Sequence, residues 1–554
     1  MKRLSRLARV FTAPTLRNRR LYSQHAISSQ ISRKSPRVGI YVVALLASAS
    51  TAFYAGSQLQ PTVGTASQQA IIAKQKPLYA SRAELEKAIA ELASELGSDA
   101  ITTDDDELRR HGYSEWSSIN IERMPVAIAY PKSTGQVSKI AKVCARFKIP
   151  MVPYSGGSSV EGNFSAPYGG ICIDFANMDK IVALHESDMD VVVQPGIGWM
   201  EMNRQIKPCG LFFPVDPGPS AMIGGMVGTS CSGTNAVRYG TMKDNVINLT
   251  VVLADGSIIK TRHRPRKTAA GYNLTSLFVG SEGTLGIVTE VTLKLAPIPA
   301  ETKVGLATFP SVRDASNAAT AILRAGIQMG AMEIMDEVQM DVVNRAGGTD
   351  RKWEVMPTML VKFIGSSGQI AETTRQFSEI ATSNGGGTLQ FASTAEEQAS
   401  LWAARKQALW SILSLRERDE EVWTTDVAVP ISRLPELIDM SKKEVAALGL
   451  FACIVGHIGD GNFHAAILFD GRNAEQRARV AGCAERMVTR ALEMEGTCTG
   501  EHGIGIGKKG FLKAELGAGG IAMMQKVKES LDPLWIMNPG KVFDHPLEDR
   551  PVGH

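Results

Sequence analysis

Hydrophobic residues recur along this chain with the period of a helix in some segments and of a strand in others. Leu85, Ile89, Leu92 and Leu96 are spaced as on one helix face and predict a short amphipathic helix over residues 81–97. Strand-like and helix-like segments then alternate. We predict strands at 127–130, 151–153, 171–174, 191–194, 246–253 and 287–295, helices at 134–147 and 198–207, and a hairpin turn at 255–256.

Two prolines that follow residue 295 separate this region from a second one with a β-α-β-α rhythm. In the second region we predict strands at 304–309, 358–363, 424–429 and 451–456, and helices at 312–325, 370–383 and 395–417. This order suits an α+β fold in which helices flank one open antiparallel sheet. We therefore predict a tether and N-terminal helix (57–110), a first domain (111–297), a second domain (298–530) and a C-terminal segment (531–554).

The first 56 residues differ in composition from the rest of the chain. They hold ten of the 60 Lys and Arg residues and no Asp or Glu, so the remainder is net acidic although the whole chain has a formal charge of +4. An Arg-rich, Ser-rich and acid-free start is typical of a mitochondrial presequence, which we assign to residues 1–37. The uncharged residues 38–56 are long enough for one transmembrane or sorting segment, with a secretory signal as the alternative. We expect a location in the inner mitochondrial membrane or the intermembrane space, and no nucleic-acid partner.

Three of the nine histidines lie in two Gly-rich segments. His457 and His464 flank Gly459-Asp-Gly-Asn462, and Glu501 and His502 follow in the second segment. Two imidazoles and a carboxylate suit a divalent metal such as Zn²⁺ or Mn²⁺, and three protein ligands with an open position are typical of a catalytic site. Asn462 is a candidate for orienting a substrate oxygen or, alternatively, a plain turn residue. The scattered cysteines contain no Cys-x-x-Cys and argue against a zinc ribbon, and ordinary turn histidines are the alternative to a metal site.

Glycine is concentrated in three segments of the first domain, Pro153–Gly162, Pro217–Asn235 and Val279–Val288. The first segment follows a predicted strand and carries three Ser hydroxyls. Small side chains let an anion approach the backbone N–H groups, so this segment could line a pyrophosphate. A Gly-x-Gly-x-x-Gly sequence at 505–510 does not follow a strand, and we do not interpret it as a dinucleotide site.

These motifs resemble a known family. The three Gly-rich segments are similar to the FAD-binding half of the vanillyl-alcohol-oxidase/PCMH-type flavoproteins. The segments His457–His464 and Gly500–Gly505, together with the closing Met537–Lys541, are similar to the FAD-linked oxidase C-terminal domain. The resemblance spans about residues 110–545. It implies a two-domain α+β flavoprotein, with a PCMH-type FAD-binding domain and a cap domain for substrate and metal.

The resemblance also implies which residues bind FAD. The pyrophosphate loop would comprise Pro153, Ser155, Gly156, Gly157, Ser158, Ser159 and Gly162. Further flavin contacts would come from Pro217, Gly218, Gly224, Gly225, Gly228, Thr229, Ser232, Gly233, Tyr239 and Gly240. The adenosine half would lie near Glu282, Gly283, Gly286, Ile287 and Val288, and the C-terminal segment would return Asn538 to the flavin ring. Covalent relatives carry a flavin-linking His where this chain has Ser158, so we expect non-covalent FAD.

The chemistry implied is oxidation of a small D-2-hydroxy acid by hydride transfer to FAD. A metal held by His457, His464 and Glu501 would lower the pKa of the substrate hydroxyl. His502 then remains as the base, because a metal-bound imidazole cannot also accept a proton. Arg405 is our candidate for the substrate carboxylate, since its planar fork matches a carboxylate; the alternative is a solvated helix face. Lys406, one position further round the helix, is expected to point elsewhere.

The substrate favoured is D-lactate. Relatives that act on D-2-hydroxyglutarate need an added cation, and residues 423–430 offer no lysine for it. A D-2-hydroxyglutarate dehydrogenase is the closest alternative. Other classes are an FAD-dependent alkylglycerone-phosphate synthase, a non-haem iron oxygenase with the same ligand types, and a non-catalytic membrane scaffold. The expected electron acceptor is cytochrome c, whose basic surface would meet the acidic body.

Overall fold

The computed structural model describes residues 77–115, 117–347, 352–392 and 394–547. The predicted presequence, the segment at 38–56 and most of the tether lie outside these residues. Among the described helices, none combines the length and the apolar character needed to cross a bilayer.

The first lobe is built on two main sheets. Its strands are β1 (Ile101–Thr102), β2 (Ala127–Ala129), β3 (Met151–Tyr154), β4 (Ile171–Asp174), β5 (Ile181–His185), β6 (Asp190–Val193), β7 (Leu211–Phe212), β8 (Val246–Val252), β9 (Ile258–Lys260), β10 (Ile287–Lys294) and β11 (Ala296–Pro297). One sheet has the order β1-β2-β4-β3, in which β2, β4 and β3 run parallel. The other is antiparallel, with the order β5-β6-β10-β8-β9, and β7 pairs with β11 separately.

Helices cover and connect these sheets. They are α1 (Arg82–Leu96), α2 (Asp105–Gly112), α3 (Thr134–Phe147), α4 (Trp199–Ile206), α5 (Ile223–Thr229), α6 (Ala236–Tyr239), α7 (Met242–Asn245) and α8 (Leu274–Phe278). The sequence determines α3 at both ends. The Ser133 hydroxyl accepts the N–H of Gln136 and caps the first turn, and Lys148 ends the helix in a left-handed conformation. Its inner face buries Ile140 completely, which stabilises the lobe by about 2 kcal/mol.

The second lobe contains an eight-stranded antiparallel sheet. Its strands are β12 (Glu301–Thr308), β13 (Ala331–Met335), β14 (Thr358–Gly365), β15 (Gln390–Phe391), β16 (Glu420–Thr424), β17 (Val427–Ala428), β18 (Phe451–His457) and β19 (Asn462–Asp470). The order is β15-β12-β14-β13-β18-β19-β16, and β17 also pairs with β19. The helices are α9 (Val312–Arg324), α10 (Glu337–Ala346), α11 (Ser367–Ser383), α12 (Ala395–Lys406), α13 (Ala408–Ser414), α14 (Leu434–Ala447), α15 (Ala474–Glu493) and α16 (Lys509–Leu531).

Both faces of this sheet are covered. Met359, Val361 and Phe363 of β14 join one buried cluster, whereas Leu360 between them joins another that includes Trp402. This alternation follows from the two-residue period of a strand. The predicted α+β architecture is therefore confirmed, with helices flanking an open antiparallel sheet.

Two predicted elements of the second lobe are wrong in detail. The helix expected at 395–417 is two helices, because Gln407 adopts φ −94° and ψ 6° and interrupts the α-helical geometry. The strand expected at 424–429 is also interrupted, since Asp426 turns its carboxylate toward the backbone of residues 500–502. Strands β13, β15 and β19 and helices α10, α14, α15 and α16 were not predicted.

The end of the chain packs against the first lobe. The N–H of Met151 donates to the carbonyl of Ile536 at 2.7 Å, and the N–H of Asn538 donates to the carbonyl of Met151 at 2.7 Å. Residues 536–538 therefore run beside β3, immediately before the first Gly-rich loop.

Candidate active site

The two histidines of the second lobe lie on adjacent strands. His457 ends β18, His464 is the third residue of β19, and the register pairs Val455 with His464. Gly461 makes the connection possible with φ +74°, where a Cβ atom would come within 2.2 Å of the Val429 carbonyl oxygen. The imidazole centroids are 5.7 Å apart and the rings are perpendicular. Both histidines are thus strand residues, not the turn histidines of the alternative interpretation.

Glu501 brings its carboxylate to both rings. Its Oε1 lies 3.3 Å from His457 Nε2 and 3.4 Å from His464 Nε2. The opposite nitrogens are engaged elsewhere: Nδ1 of His457 lies 2.9 Å from a Glu333 oxygen, and Nδ1 of His464 lies 3.2 Å from the Thr425 carbonyl. An imidazole that donates from Nδ1 presents a lone pair at Nε2. These three groups, whose ligand atoms lie within 4.8 Å of one another, fit the donor set of a divalent metal.

Burial opposes the charge of His457, but the carboxylates of Glu333 and Glu501 outweigh it and raise the pKa of His457 well above its usual value, so a metal at Nε2 would displace a proton. Burial opposes the charge of Glu501, but the neighbouring His457 and His464 outweigh it and hold the pKa of Glu501 well below its usual value. The carboxylate is therefore ionised and available as a ligand.

His502 lies beside the three-ligand group. Its ring stacks on that of His464 with centroids 5.0 Å apart and an interplanar angle of 13°. Its Nδ1 is buried and has no hydrogen-bond partner among the described residues. Burial lowers the pKa of His502 to about 4. This imidazole is consequently neutral near pH 7 and able to accept a proton.

Asp426, which the sequence analysis missed, holds the segment that carries Glu501 and His502. Its Oδ2 accepts the backbone N–H groups of Gly500, Glu501 and His502 at 2.7, 2.9 and 3.0 Å, and the Thr499 hydroxyl at 2.7 Å. Asp426, His464 and His502 could also meet around an ion. We favour the group with Glu501, because the Asp426 carboxylate is already occupied by these donors.

The first lobe holds the same segment from the other side. Ser232 donates its hydroxyl to Glu501 Oε2 at 2.7 Å, and the Glu282 carboxylate accepts the N–H groups of Ile504 and Gly505 at 2.7 and 2.8 Å. Both residues were expected to contact FAD. In the structure their side chains bond to the 500–505 segment, which packs directly against the Gly-rich loops, and their contact with FAD stays a prediction.

A cavity of about 400 Å³ connects the Gly-rich loops with the histidine cluster. His457, His464, Glu501 and His502 all line it. It is also lined by most of the residues expected to bind FAD: Pro153, Ser155, Gly156, Gly157, Ser158, Ser159, Pro217, Gly218, Gly224, Gly225, Gly228, Thr229, Gly233, Glu282, Gly283, Gly286, Val288 and Asn538.

The first Gly-rich loop fits a pyrophosphate. Within the described residues, the backbone N–H groups of residues 156–159 donate to no other group. A Cβ atom on Gly156 would approach the Ser220 carbonyl oxygen to 2.8 Å, and Gly157 has φ +58°. This loop has unpaired N–H groups, and only glycine fits at positions 156 and 157. Both features suit a bound anion.

Five residues expected to contact FAD do not line the cavity: Gly162, Ser232, Tyr239, Gly240 and Ile287. The Ile287 side chain is fully buried in the core of the first lobe, and the Tyr239 ring packs on Phe212 at 5.6 Å. Gly162 and Gly240 have φ values of +70° and +75°, so they shape turns that a side chain would strain.

Of the two residues expected to contact substrate besides His502, Arg405 lines the cavity and Asn462 does not. Arg405 lines the cavity, and its Nε and Nη2 each lie 2.8 Å from Oε2 of the buried Glu333. Lys406 lines the cavity as well, contrary to expectation, with Nζ 3.9 Å from Asp216. Asn462 does not line it, because its amide donates to Asp426 Oδ1 and to the Val427 carbonyl, both at 2.8 Å. We therefore withdraw Asn462 as a substrate contact.

Both Asp426 and Glu333 carry a sequence signal that could have revealed them. Each is a charged residue within an otherwise apolar strand-like run, Val-Trp-Thr-Thr-Asp-Val-Ala-Val and Ala-Met-Glu-Ile-Met. Charged groups inside a strand are expensive to bury unless they have partners.

Fold and site together define an FAD-dependent oxidoreductase. Residues 125–262 match the family model described as an FAD binding domain, and residues 298–542 match that of FAD linked oxidases, C-terminal domain. The chain is 46% identical over 465 residues to the mitochondrial D-lactate dehydrogenase [cytochrome] of Arabidopsis thaliana, which covers 83% of this chain and 82% of the relative. It is 44% identical to the protein of the same description from Kluyveromyces lactis, over 84% of this chain and 83% of that relative. This chain belongs to the family of FAD-linked oxidoreductases that contains these D-lactate dehydrogenases.

Solved structures share the fold at lower identity. A p-cresol methylhydroxylase with substrate bound superposes with a TM-score of 0.70 at 18% identity, covering 86% of this chain and 100% of that chain. An alkyldihydroxyacetonephosphate synthase gives a TM-score of 0.67 at 18% identity, covering 84% of this chain and 86% of that chain. At this identity the likeness extends to the fold alone, so it does not favour a transferase.

Proposed function

We propose that this protein oxidises D-lactate to pyruvate, with FAD as the hydride acceptor and a divalent metal at the His457, His464 and Glu501 group. The observation that carries the proposal is that this group, the neutral His502 and the Gly-rich loops all face one cavity. When bound, FAD supplies the hydride acceptor, and Zn²⁺ or Mn²⁺ supplies a Lewis acid that lowers the pKa of a hydroxyl.

The chain's own residues supply the proton transfer. His502 accepts the hydroxyl proton, because its imidazole is neutral and its Nδ1 lacks a partner in the described chain. Ser232 and Asp426 hold Glu501 and the His502 backbone on opposite sides, so both groups are positioned before substrate arrives. Positioning of this kind contributes to rate because reacting groups need not be ordered at the moment of reaction.

Arg405 binds the substrate carboxylate through the guanidinium edge that Glu333 leaves free. The side edge, formed by Nε and Nη2, already faces Glu333. The end edge, formed by Nη1 and the second N–H of Nη2, remains for a carboxylate. A 2-hydroxy acid with a single carboxylate needs no second cation when bound there, which agrees with D-lactate, the substrate named for relatives at 42–46% identity.

A second candidate substrate is D-2-hydroxyglutarate. The observation that favours it is Lys406, a further cation on the cavity wall beside Arg405. Turnover of purified protein on D-lactate and on D-2-hydroxyglutarate decides between them, and a higher kcat/KM for the dicarboxylate would overturn our choice.

We further propose that cytochrome c accepts the electrons and that the protein works in the mitochondrion. The descriptions of the relatives from Arabidopsis thaliana and Saccharomyces cerevisiae include the words "cytochrome" and "mitochondrial". The acid-free composition of the first 56 residues also supports the mitochondrial location. An electrostatic encounter with cytochrome c weakens as salt rises. If the rate of cytochrome c reduction does not change with ionic strength, the acidic surface is not the docking site.

The central test is anaerobic mixing of the purified flavoprotein with D- or L-lactate, before and after treatment with a chelator. We expect D-lactate alone to bleach the flavin absorbance, and chelation to abolish bleaching until Zn²⁺ or Mn²⁺ is restored. Bleaching by both isomers would contradict the substrate. Bleaching that survives complete metal removal would contradict the metal.

A further inference from the structure

Glu333 lies between the histidine cluster and Arg405. It is the third residue of β13, and only 1% of its surface is exposed. Strand β13 pairs with β18, with Ile334 opposite Gly456, so Glu333 is adjacent to His457 across the two strands. A carboxylate buried to this extent is stable only where charged or hydrogen-bonding partners surround it.

Each oxygen of Glu333 serves a different partner. Oε1 accepts Nδ1–H of His457 at 2.9 Å, and Oε2 accepts Nε–H of Arg405 at 2.8 Å and forms an ion pair with its Nη2 at 2.8 Å. Glu333 does not itself line the cavity, whereas both of its partners do. One buried carboxylate therefore touches the two groups assigned to metal binding and to substrate binding.

This arrangement determines the tautomer of His457 and the orientation of the Arg405 guanidinium. Because Nδ1 of His457 donates to Glu333, the lone pair of the neutral ring is at Nε2, which points toward Glu501. Because Nε of Arg405 donates to Glu333 and Nη2 pairs with the same oxygen, the side edge of the guanidinium is held there and its end edge is left for a ligand. A guanidinium without this partner could rotate about its long side chain.

We propose that Glu333 is a positioning residue shared by the metal site and the substrate site. It fixes the tautomer of His457 and the orientation of Arg405 at once, so metal affinity and substrate affinity depend on the same carboxylate. The inference rests on the proposed function, since it takes His457 as a metal ligand and Arg405 as the carboxylate-binding residue.

The test compares Glu333→Ala, Glu333→Gln and the control Glu337→Gln with the wild-type flavoprotein. Glu337 lies four positions further on, 41% of its side chain is exposed, and its carboxylate contacts Lys442 outside the cavity. Two readouts are used: the dissociation constant for Zn²⁺ or Mn²⁺, by competition with a chelator, and the KM and kcat for D-lactate. Flavin content, read from absorbance, reports whether each variant is folded.

We expect Glu333→Ala to weaken metal binding by about 10–100-fold, the usual effect of losing such a partner of a metal ligand, and to raise KM more than it lowers kcat. The amide of Glu333→Gln offers one acceptor oxygen, which can serve His457 or Arg405 but not both. That variant should lose at least about tenfold in metal affinity or in KM. Glu337→Gln should match the wild type in both.

Two outcomes overturn the proposals separately. If the wild type binds neither metal, or its KM does not respond to Arg405→Lys, the proposed function fails at that site. If the wild type behaves as proposed while Glu333→Gln stays within twofold of it in both readouts, the shared positioning role is refuted. Should Glu333→Ala yield no flavoprotein, Glu333→Gln decides, since it keeps the shape of the side chain.

Discussion

Replacing Asp426 should disable the site although this residue neither lines the cavity nor belongs to the favoured ligand group. Removing its carboxylate in Asp426→Ala leaves the N–H groups of Gly500, Glu501 and His502 without their acceptor. Each buried donor left unsatisfied costs about 1–3 kcal/mol, so three of them amount to roughly 3–9 kcal/mol before the segment relaxes. The segment will relax to recover part of this, and relaxation moves Glu501 and His502.

The kinetic consequence follows from that movement. Because a displacement of about 1 Å in a positioned group can cost on the order of 100-fold in rate, we expect Asp426→Ala to lower kcat for D-lactate by at least about 100-fold. Asp426→Asn should lose much less. Its amide oxygen can still accept from the segment, and its new amide can donate to the Asn462 oxygen, which has no partner in the described structure, once the Asn462 amide rotates.

Stopped-flow reduction of the flavin by D-lactate measures this directly, because it isolates the chemical step from reoxidation. Asp439→Asn is a matched control in the same lobe, since Asp439 pairs with Arg313 at the surface, where an ion pair contributes less than about 1 kcal/mol. If Asp426→Ala retained kcat within threefold, or if the Ala and Asn variants were equally slow, the idea that Oδ2 holds the 499–502 segment would be wrong.

Three further predictions follow from individual contacts. Ser232→Ala removes the hydroxyl that donates to Glu501, so metal should dissociate faster while flavin content stays unchanged; an unaltered metal off-rate in a stopped-flow chelator assay would contradict this. Lys406→Met removes a cavity cation and should lower kcat/KM for D-2-hydroxyglutarate more than for D-lactate; equal losses on both acids would exclude a role in discrimination. Burial lowers the pKa of Lys541 to about 7 from a usual value of 10.5, so between these values the unfolded chain binds more protons than the folded one and stability rises with pH. Lys541→Met should flatten the rise in melting temperature of the flavoprotein between pH 7 and pH 9, and parallel curves for the two proteins would contradict that assignment.

The sequence predicts those parts of the fold that depend on local pattern. Helix α3 begins and ends where its Ser cap and apolar spacing indicate, and β4 and the hairpin at Asp255-Gly256 occur where they were expected. The break at Gln407 has no such signal, since no Pro or Gly lies between Ala395 and Ser414. Strand β19 was missed because its histidine motif was interpreted as turn chemistry, and the pairing of β18 with β19 is a tertiary feature that the Gly-rich connection only permits.

The residues of the active site also differ in whether the sequence alone predicts them. Residue types and spacing were enough to group His457, His464 and Glu501, because a metal-type donor set is chemically distinctive. The residues that orient them are separated from their partners by long stretches of chain: Glu333 and His457 lie 124 positions apart, and Ser232 and Glu501 lie 269 apart. No periodicity encodes such pairs: the pairing of β13 with β18 brings the first pair together, and the packing of the two lobes brings the second pair together. Residue roles transferred from a family resemblance do not include such long-range pairs either. Ser232 was predicted from its motif as a flavin contact, and in the structure its hydroxyl donates to the Glu501 carboxylate.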